Sequence, residues 1–242
     1  MVGGTTNHKY AGFYNPSTNS YCDLPQMVPN RVRHAVTGLT ACGDAVDPSD
    51  PVYYKTSCSR FNVSSGQWFQ SHLYTTARVG SVAWQTSDGI YLIGGNNNNA
   101  KTSSSLLLPD GTESPNPGFT LAATSYFSCA VEDVKQKSII IIGGYDAQDQ
   151  TQLKTVYRYD TTGVQDRLPD LNNNRSSGCG GYYNDRGYLV LLVFGGGVAK
   201  TEMLVYGQDD AWTELGDRAD VKSKYPFAVT IDNDIFMQGN NV

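Results

Sequence analysis

A chain of 242 residues with a formal net charge of −5 and only 17% charged residues is long enough to bury a substantial core as one domain. It lacks the basic stripe that nucleic-acid binding requires, and the same deficit disfavours an anionic membrane surface. Its longest apolar run, Tyr188 to Phe194, is strand-sized and well short of the roughly 18 residues that span a bilayer.

Met1-Val2-Gly3-Gly4 has neither the basic start nor the apolar stretch of a signal peptide and reads as the middle of a repeat, so the native chain is expected to begin upstream. Apolar runs ending in glycine then recur: Thr40 to Gly43, Ile90 to Gly95, Ile139 to Gly144 and Leu189 to Gly196. With Gly4, Gly43, Gly95, Gly144, Gly196 and Gly239 as landmarks, the intervals are 39, 52, 49, 52 and 43 residues. A period near 50 is that of a propeller blade.

Each unit continues in one order: a polar loop, an aromatic strand, a turn, and a strand marked by Trp or Leu-Pro. Phe13-Tyr14-Asn15 holds the aromatic place in the first unit, Cys58-Ser59-Arg60-Phe61-Asn62 in the second, Thr155-Val156-Tyr157-Arg158-Tyr159-Asp160 in the fourth and Leu204-Val205-Tyr206 in the fifth. Trp68, Leu168-Pro169 and Trp212 mark the strands that follow. Arg31, Arg78 and Arg175 introduce the next units, which open on small-residue strands such as Gly80 to Trp84 and Gly178 to Tyr183. That makes four strands per unit, with small residues on the innermost and glycines where the chain must turn at positive φ.

This order of double glycine, aromatic pair, Trp or Leu-Pro and arginine resembles the kelch-repeat family, which shares a superfamily with the central domain of galactose oxidase; the likeness is to secreted, invertebrate-like members. It implies an all-β fold, a kelch-type β-propeller of four-stranded antiparallel blades, six-bladed with incomplete terminal blades. One domain then spans 1–242, with a partial blade over 1–30, blades over about 31–75, 76–122, 123–172 and 173–218, and a partial blade over 219–242. Cys42-Gly43-Asp44 and Gln238-Gly239-Asn240 depart from the double glycine. A WD40-type propeller is disfavoured by the missing Gly-His to Trp-Asp signature.

On that frame Cys129 and Cys179 occupy matching innermost strands of successive blades, and Cys42 and Cys58 lie on consecutive strands of one blade. Both pairs are candidate disulfides, which leaves Cys22 free or paired elsewhere; the sequence leaves the connectivity open, buried thiols included. The sequons at Asn62 and Asn174 are candidate glycosylation sites. With the cysteines they favour a secreted or extracellular location.

The loops between second and third strands all open on one face and are rich in short polar side chains: Asp44, Asp47 and Asp50; Asn96 and Asn97; Asp146 and Asp149. Arg31, Arg78 and Arg175 approach the same face. Together they form a candidate ligand-binding ring, although Asp and Asn also suit tight turns whatever their function, and the arginines belong equally to the repeat. The Asp44 to Asp50 spacing is not that of a calcium-binding EF-hand loop, and no metal or cofactor is assigned.

A copper-radical oxidase, which the galactose oxidase link raises, needs two imidazoles, a tyrosinate and a cysteine converging near the axis. Only His8, His34 and His72 are available, and they fall in a loop, at the start of an innermost strand and in an outer strand. The expected function is therefore a noncatalytic extracellular interaction or scaffold module that binds a protein or carbohydrate partner through its loops, open to self-assembly, with no nucleic-acid partner and no membrane span. The alternatives are a copper-radical or glycan-processing enzyme and an intracellular kelch adaptor, the last requiring reduced cysteines.

Overall fold

The computed structural model describes residues 12–15, 18, 20–27, 31, 34–43, 56–96, 102–115, 118–122, 125–146, 148–176, 178–217, 227–231 and 234–238. Among them every named element is a β-strand, every pairing is antiparallel, and each sheet takes its strands in chain order. No helix among the described residues is long and apolar enough to cross a membrane.

The chain divides into two compact units, Met1–Leu121 and Ala122–Val242. In the first, β1 (Gly12–Asn15) and β2 (Ser20–Asp23) form a hairpin. A four-stranded sheet follows, with β3 (Ala35–Thr37), β4 (Thr40–Cys42), β5 (Ser57–Asn62) and β6 (Gln67–Leu73). A three-stranded sheet, β7 (Val82–Gln85), β8 (Ile90–Ile93) and β9 (Ser104–Leu107), completes the unit.

The second unit holds two four-stranded sheets. One is β10 (Cys129–Asp133), β11 (Ser138–Ile142), β12 (Val156–Asp160) and β13 (Gly163–Leu168). The other is β14 (Gly178–Tyr183), β15 (Leu189–Gly195), β16 (Val198–Val205) and β17 (Thr213–Asp217). A hairpin of β18 (Phe227–Ile231) and β19 (Asp234–Gln238) follows. Within the units, the first strands of successive sheets are neighbours: β3 lies beside β7, and β14 lies between β10 and β18.

The apolar runs that end in glycine are the second strands. β8 and β11 are buried along their whole length, and continuous Ile and Leu suit strands buried in this way. In the second unit Leu189, Leu191 and Leu204 share a core with Ile140, Ile142, Val156 and Leu168, which joins the two sheets. A smaller core in the first unit joins Ala35, Cys42 and Cys58 to Ile90, Leu92 and Leu107.

The glycine after the second strand has a definite task. Gly43 has φ +79°, and a Cβ there would lie 2.6 Å from the Arg78 carbonyl oxygen; a Cβ on Gly143, at φ +57°, would meet the Arg175 carbonyl oxygen in the same way. Each glycine therefore clears the path of the arginine segment that opens the next sheet.

Trp and Leu-Pro, the alternative marks of the fourth strand, turn out to bind each other. Trp68 Nε1 donates to the Pro25 carbonyl at 2.9 Å, and Trp212 Nε1 donates to the Pro169 carbonyl at 2.8 Å, both across 43 residues. Trp212 is buried and its indole N–H needs an acceptor; for it, and for the half-exposed Trp68, the proline ending the previous sheet supplies one.

Among the described residues of 76–122 no fourth strand follows β9; its edge is met by isolated bridges from Ser103 to Thr120 and from Leu107 to Glu113. Pro115 and Pro117 fall in this stretch. Proline has no N–H to donate and interrupts a ladder. Single bonds, Ser114 N to Leu106 O (2.8 Å) and Ser104 N to Phe119 O (3.1 Å), do the covering instead.

Two disulfides are formed. Cys42 and Cys58 are opposite partners on β4 and β5, with Cα atoms 4.1 Å apart, and Cys129 and Cys179 tie β10 to β14 at 5.8 Å. Cys22, on β2, is an exposed free thiol.

Candidate functional site

The three arginines, expected beside a ligand at the loop face, are buried to 0, 1 and 0% exposure for Arg31, Arg78 and Arg175. Arg31 Nη1 donates to the carbonyls of Gly43 and Ser57, both at 2.9 Å, and its Nη2 to the hydroxyls of Ser57 and Ser59. Arg78 repeats this on Gly94, Ser103 and Ser105. Arg175 donates to the Lys200 carbonyl at 2.9 Å and pairs with the carboxylate of Glu202, itself fully buried. Burial draws the Arg31 and Arg78 pKa values down to about 10, so both stay charged at neutral pH. The Arg31 and Arg78 guanidinium groups clamp the end of the second strand to the third, and that of Arg175 is held on the third strand. Their donors are turned into the sheet, not towards the loop face.

The clamp has a regular address. A buried residue, Met27, Tyr74 or Leu171, stands four positions before Arg31, Arg78 or Arg175. Leu121 stands in the same relation to Ser125, so the sheet β10–β13 is the one complete four-stranded sheet whose opening segment has no arginine. There Ser128 Oγ donates to the Gly143 carbonyl at 3.0 Å, the kind of acceptor that arginine takes elsewhere.

Around that vacancy stand three rings. Tyr126 is buried, with Tyr145 stacked on it at 5.5 Å between centroids and 28° between planes; Phe127 lies 4.9 Å from Tyr126 and meets Tyr145 edge-on at 6.5 Å. Tyr126 Oη donates to Gln150 Oε1, and Gln152 Nε2 reaches Tyr145 Oη at 3.4 Å and the Gly196 carbonyl at 3.3 Å. Phe127 (φ +52°) and Gln150 (φ +63°) are two of three described non-glycine residues at positive φ. Such a conformation costs about 1–3 kcal/mol for a side chain of this kind and is concentrated at ligand clamps and switches.

Asp146 and Asp149 of the expected ring lie in this same loop. Asp146 Oδ1 accepts from the N–H groups of Gln148 (2.6 Å) and Asp149 (3.4 Å), and Asp149 Oδ1 accepts from the Thr151 N–H and hydroxyl. Those Thr151 bonds hold the Asp149 carboxyl below its usual range. Each carboxylate thus gives one oxygen to the turn, and the second oxygen of both Asp146 and Asp149 has no partner among the described residues. Asn96 is exposed, its N–H donating to the Val79 carbonyl at 2.8 Å. Asp44, Asp47, Asp50 and Asn97 lie outside the described residues. The aromatic members were not legible as ligands in the sequence; the signal for them is the serine where the repeat elsewhere has arginine.

An open cleft of about 640 Å³ between β6 and the 110–113 turn contains His72, Asp110 and Glu113. Its polar groups serve local structure. The His72 ring nitrogens meet Ser71 Oγ (3.0 Å) and the Leu108 carbonyl (3.1 Å), Glu113 accepts from the N–H and hydroxyl of Thr75, and Asp110 accepts from Thr112.

His34 precedes β3 and His72 lies on β6, the two edges of one four-stranded sheet, so the strand spacing alone sets them about 14 Å apart. They do not converge on one metal. His8 lies outside the described residues, and among those described no three His, Cys, Asp or Glu side chains are grouped as a metal site.

Burial, and secondarily the nearby Arg31 charge, push the His34 pKa down to about 4. Since an unfolded histidine titrates near 6.5, the unfolded chain takes up this proton first as pH falls. The associated stability is complete above about pH 6.5 and is lost towards pH 4, by roughly 2–3 kcal/mol. Urea unfolding of His34→Gln should lack that part of the acid slope; an unchanged slope would show that another group sets it.

Of the two sequons, Asn62 sits exposed at the β5–β6 turn, its Oδ1 accepting from the N–H groups of Ser64 (2.9 Å) and Ser65 (3.3 Å). Asn174 is exposed too, but Arg175 and Ser176 beside it are buried.

No family model matches this chain, and no curated protein does. Among solved structures 186 chains are similar, and one of them, "Structure of YjhT", superposes with a TM-score of 0.75 over 94% of this chain and 82% of its own at 12% identity. At that identity the resemblance is one of fold.

Proposed function

We propose that the chain forms a kelch-type β-propeller, six-bladed when its incomplete terminal blades are counted, and acts as a noncatalytic extracellular binding or scaffold module that holds a protein or glycan partner on its loop face. The ordered antiparallel sheets, the adjacency of successive first strands and the repeated arginine clamp support the architecture. Two disulfides support an oxidising compartment.

One observation carries the functional reading. Where the arginine clamp is missing, the chain holds Phe127 and Gln150 at positive φ and builds partly exposed rings and amides there. A fold that has a cheaper repeated solution, and departs from it at strained cost in one sheet, does so where the loop has another task.

The test compares immobilised wild-type protein with two surface variants for binding to native extracellular matrix and cell-surface material. The variant Tyr145→Ala with Asp146→Ala should lose at least about tenfold in affinity. A control at the opposite strand ends, Val134→Ala with Val164→Ala, at positions 66% and 42% exposed, should bind as wild type. Equal binding by all three would remove the loop face from the account.

A further inference from the structure

The chemistry of this loop narrows the partner, and we infer that Phe127, Tyr145, Asp146 and Gln152 form a platform for an uncharged oligosaccharide. The inference deepens the binding-module reading and rests on it.

The rings set the shape of what can bind. An ammonium held between two ring faces lies within about 6 Å of each centroid, which needs faces roughly 8 Å or more apart. Here the centroids are only 4.9 to 6.5 Å apart, so the rings fill the space between themselves and make no cage. What they offer is an outer surface: Tyr126 is buried beneath, while Phe127 and Tyr145 are partly exposed. A pyranose suits such a surface, because the C–H groups on one face of the sugar lie flat on a π-system while its hydroxyls project around the rim.

The rim is chemically matched to hydroxyls. Asp146 presents a carboxylate oxygen, oriented by the bonds its other oxygen accepts from Gln148 and Asp149. Gln152 offers an amide whose Nε2 is held only by long contacts of 3.3 and 3.4 Å, and an amide oxygen. Tyr145 Oη accepts from Gln152 and has its own proton to donate. Donors and acceptors are thus mixed, which a polyhydroxylated ligand can satisfy.

Charge selects the class of sugar. Tyr145, Asp146 and Gln152 have no Lys or Arg partner among the described residues. The arginines of the repeat are buried in their sheets. With a carboxylate at the rim and a net charge of −5, a sulfated, uronic or sialylated glycan is repelled and a neutral one is not. The hydrogen bond from Tyr126 to Gln150 and the stacking of Tyr145 on the buried Tyr126 hold the rings in advance, which lowers the ordering cost of a shallow site.

The full chain is titrated with uncharged hexasaccharides of glucose, mannose, xylose and N-acetylglucosamine, and with sialyllactose and a heparin hexasaccharide, by calorimetry and ligand-observed NMR. At least one neutral glycan is expected to bind with a Kd on the order of 1 mM or tighter. Tyr145→Ala should weaken it at least about tenfold and Asp146→Ala at least about threefold, whereas Tyr145→Phe, which keeps the ring and loses only the rim hydroxyl, should weaken it by less than Tyr145→Ala does. Near-UV circular dichroism of each variant shows that the fold is kept.

Three results overturn the inference: no neutral glycan binding to folded wild-type protein at about 10 mM, binding unaffected by Tyr145→Ala, or a preference for the charged glycans. Should matrix binding be lost in the Tyr145→Ala, Asp146→Ala variant while no neutral glycan binds or competes, the partner is a protein, and only the glycan assignment falls. Should that variant bind matrix as wild type does, the binding-module reading falls with it.

Discussion

Replacing Glu202 with alanine is expected to destabilise the protein by about 3–5 kcal/mol, the cost of stranding a buried charge. Glu202 and Arg175 are both fully buried. The same carboxylate accepts from the Asn172 N–H (2.6 Å), the Asn173 N–H (3.3 Å) and the Asn173 amide (3.2 Å), so it fastens the whole segment before β14 to β16. Alanine removes every one of these acceptors and leaves the guanidinium in a low-dielectric site. Burial already lowers the Arg175 pKa, against the opposing pull of Glu202.

Urea unfolding measures this directly: the midpoint should fall with little change in slope. Glu202→Gln, which keeps an acceptor oxygen and the shape but not the charge, should cost less than alanine. The double variant Arg175→Met, Glu202→Leu should be far less harmful than the summed single changes, since it removes both charges together. A loss below about 1 kcal/mol for Glu202→Ala would place the pair among exposed ion pairs of little worth. Lys200 with Glu214, 49% and 35% exposed, is the internal comparison for that weaker class.

The same arginine shows how far the sequence could be read. A glycine period near 50 announced the sheets because the same need recurs in successive sheets: Gly43 and Gly143 clear a passing backbone at positive φ. The strand order was equally visible, since aromatic strands and turns mark themselves. Arginine was ambiguous, because a guanidinium suits a ligand as well as it suits a row of carbonyl and seryl oxygens, and only the fold brings Ser57 and Ser59 within reach of Arg31.

Pairing across 43 residues between Trp68 and Pro25 was hidden for the same reason. The two marks looked like alternatives for one position and are partners in successive sheets. The lack of a fourth strand beside β9 among the described residues has a local mark in Pro115 and Pro117, which the regular period of the repeat masks. The Phe127 and Tyr145 platform was the least legible: its rings are 18 residues apart, and what marks it in the sequence is Ser125, a residue defined by what it replaces.

Loss of the Cys129–Cys179 bridge is the other large effect expected, and it should exceed that of losing Cys42–Cys58. A crosslink stabilises chiefly by restricting the unfolded chain. The separations of 50 and 16 residues correspond to about 4 and about 3 kcal/mol. The native roles differ as well. Cys42 and Cys58 face each other in a ladder that already pairs β4 with β5, whereas Cys129 and Cys179 join the first strands of two sheets, where no ladder is formed between them. Exposure adds a kinetic difference: Cys42 and Cys58 are both 0% exposed, while Cys129 is partly exposed. A mild reductant should therefore open Cys129–Cys179 first. Differential alkylation with mass spectrometry reads that order, and urea unfolding of the paired Cys→Ala variants reads the energies. Should Cys42–Cys58 reduce first, exposure would not set the order, and should its removal cost more, the length of the closed loop would not rank the two bridges.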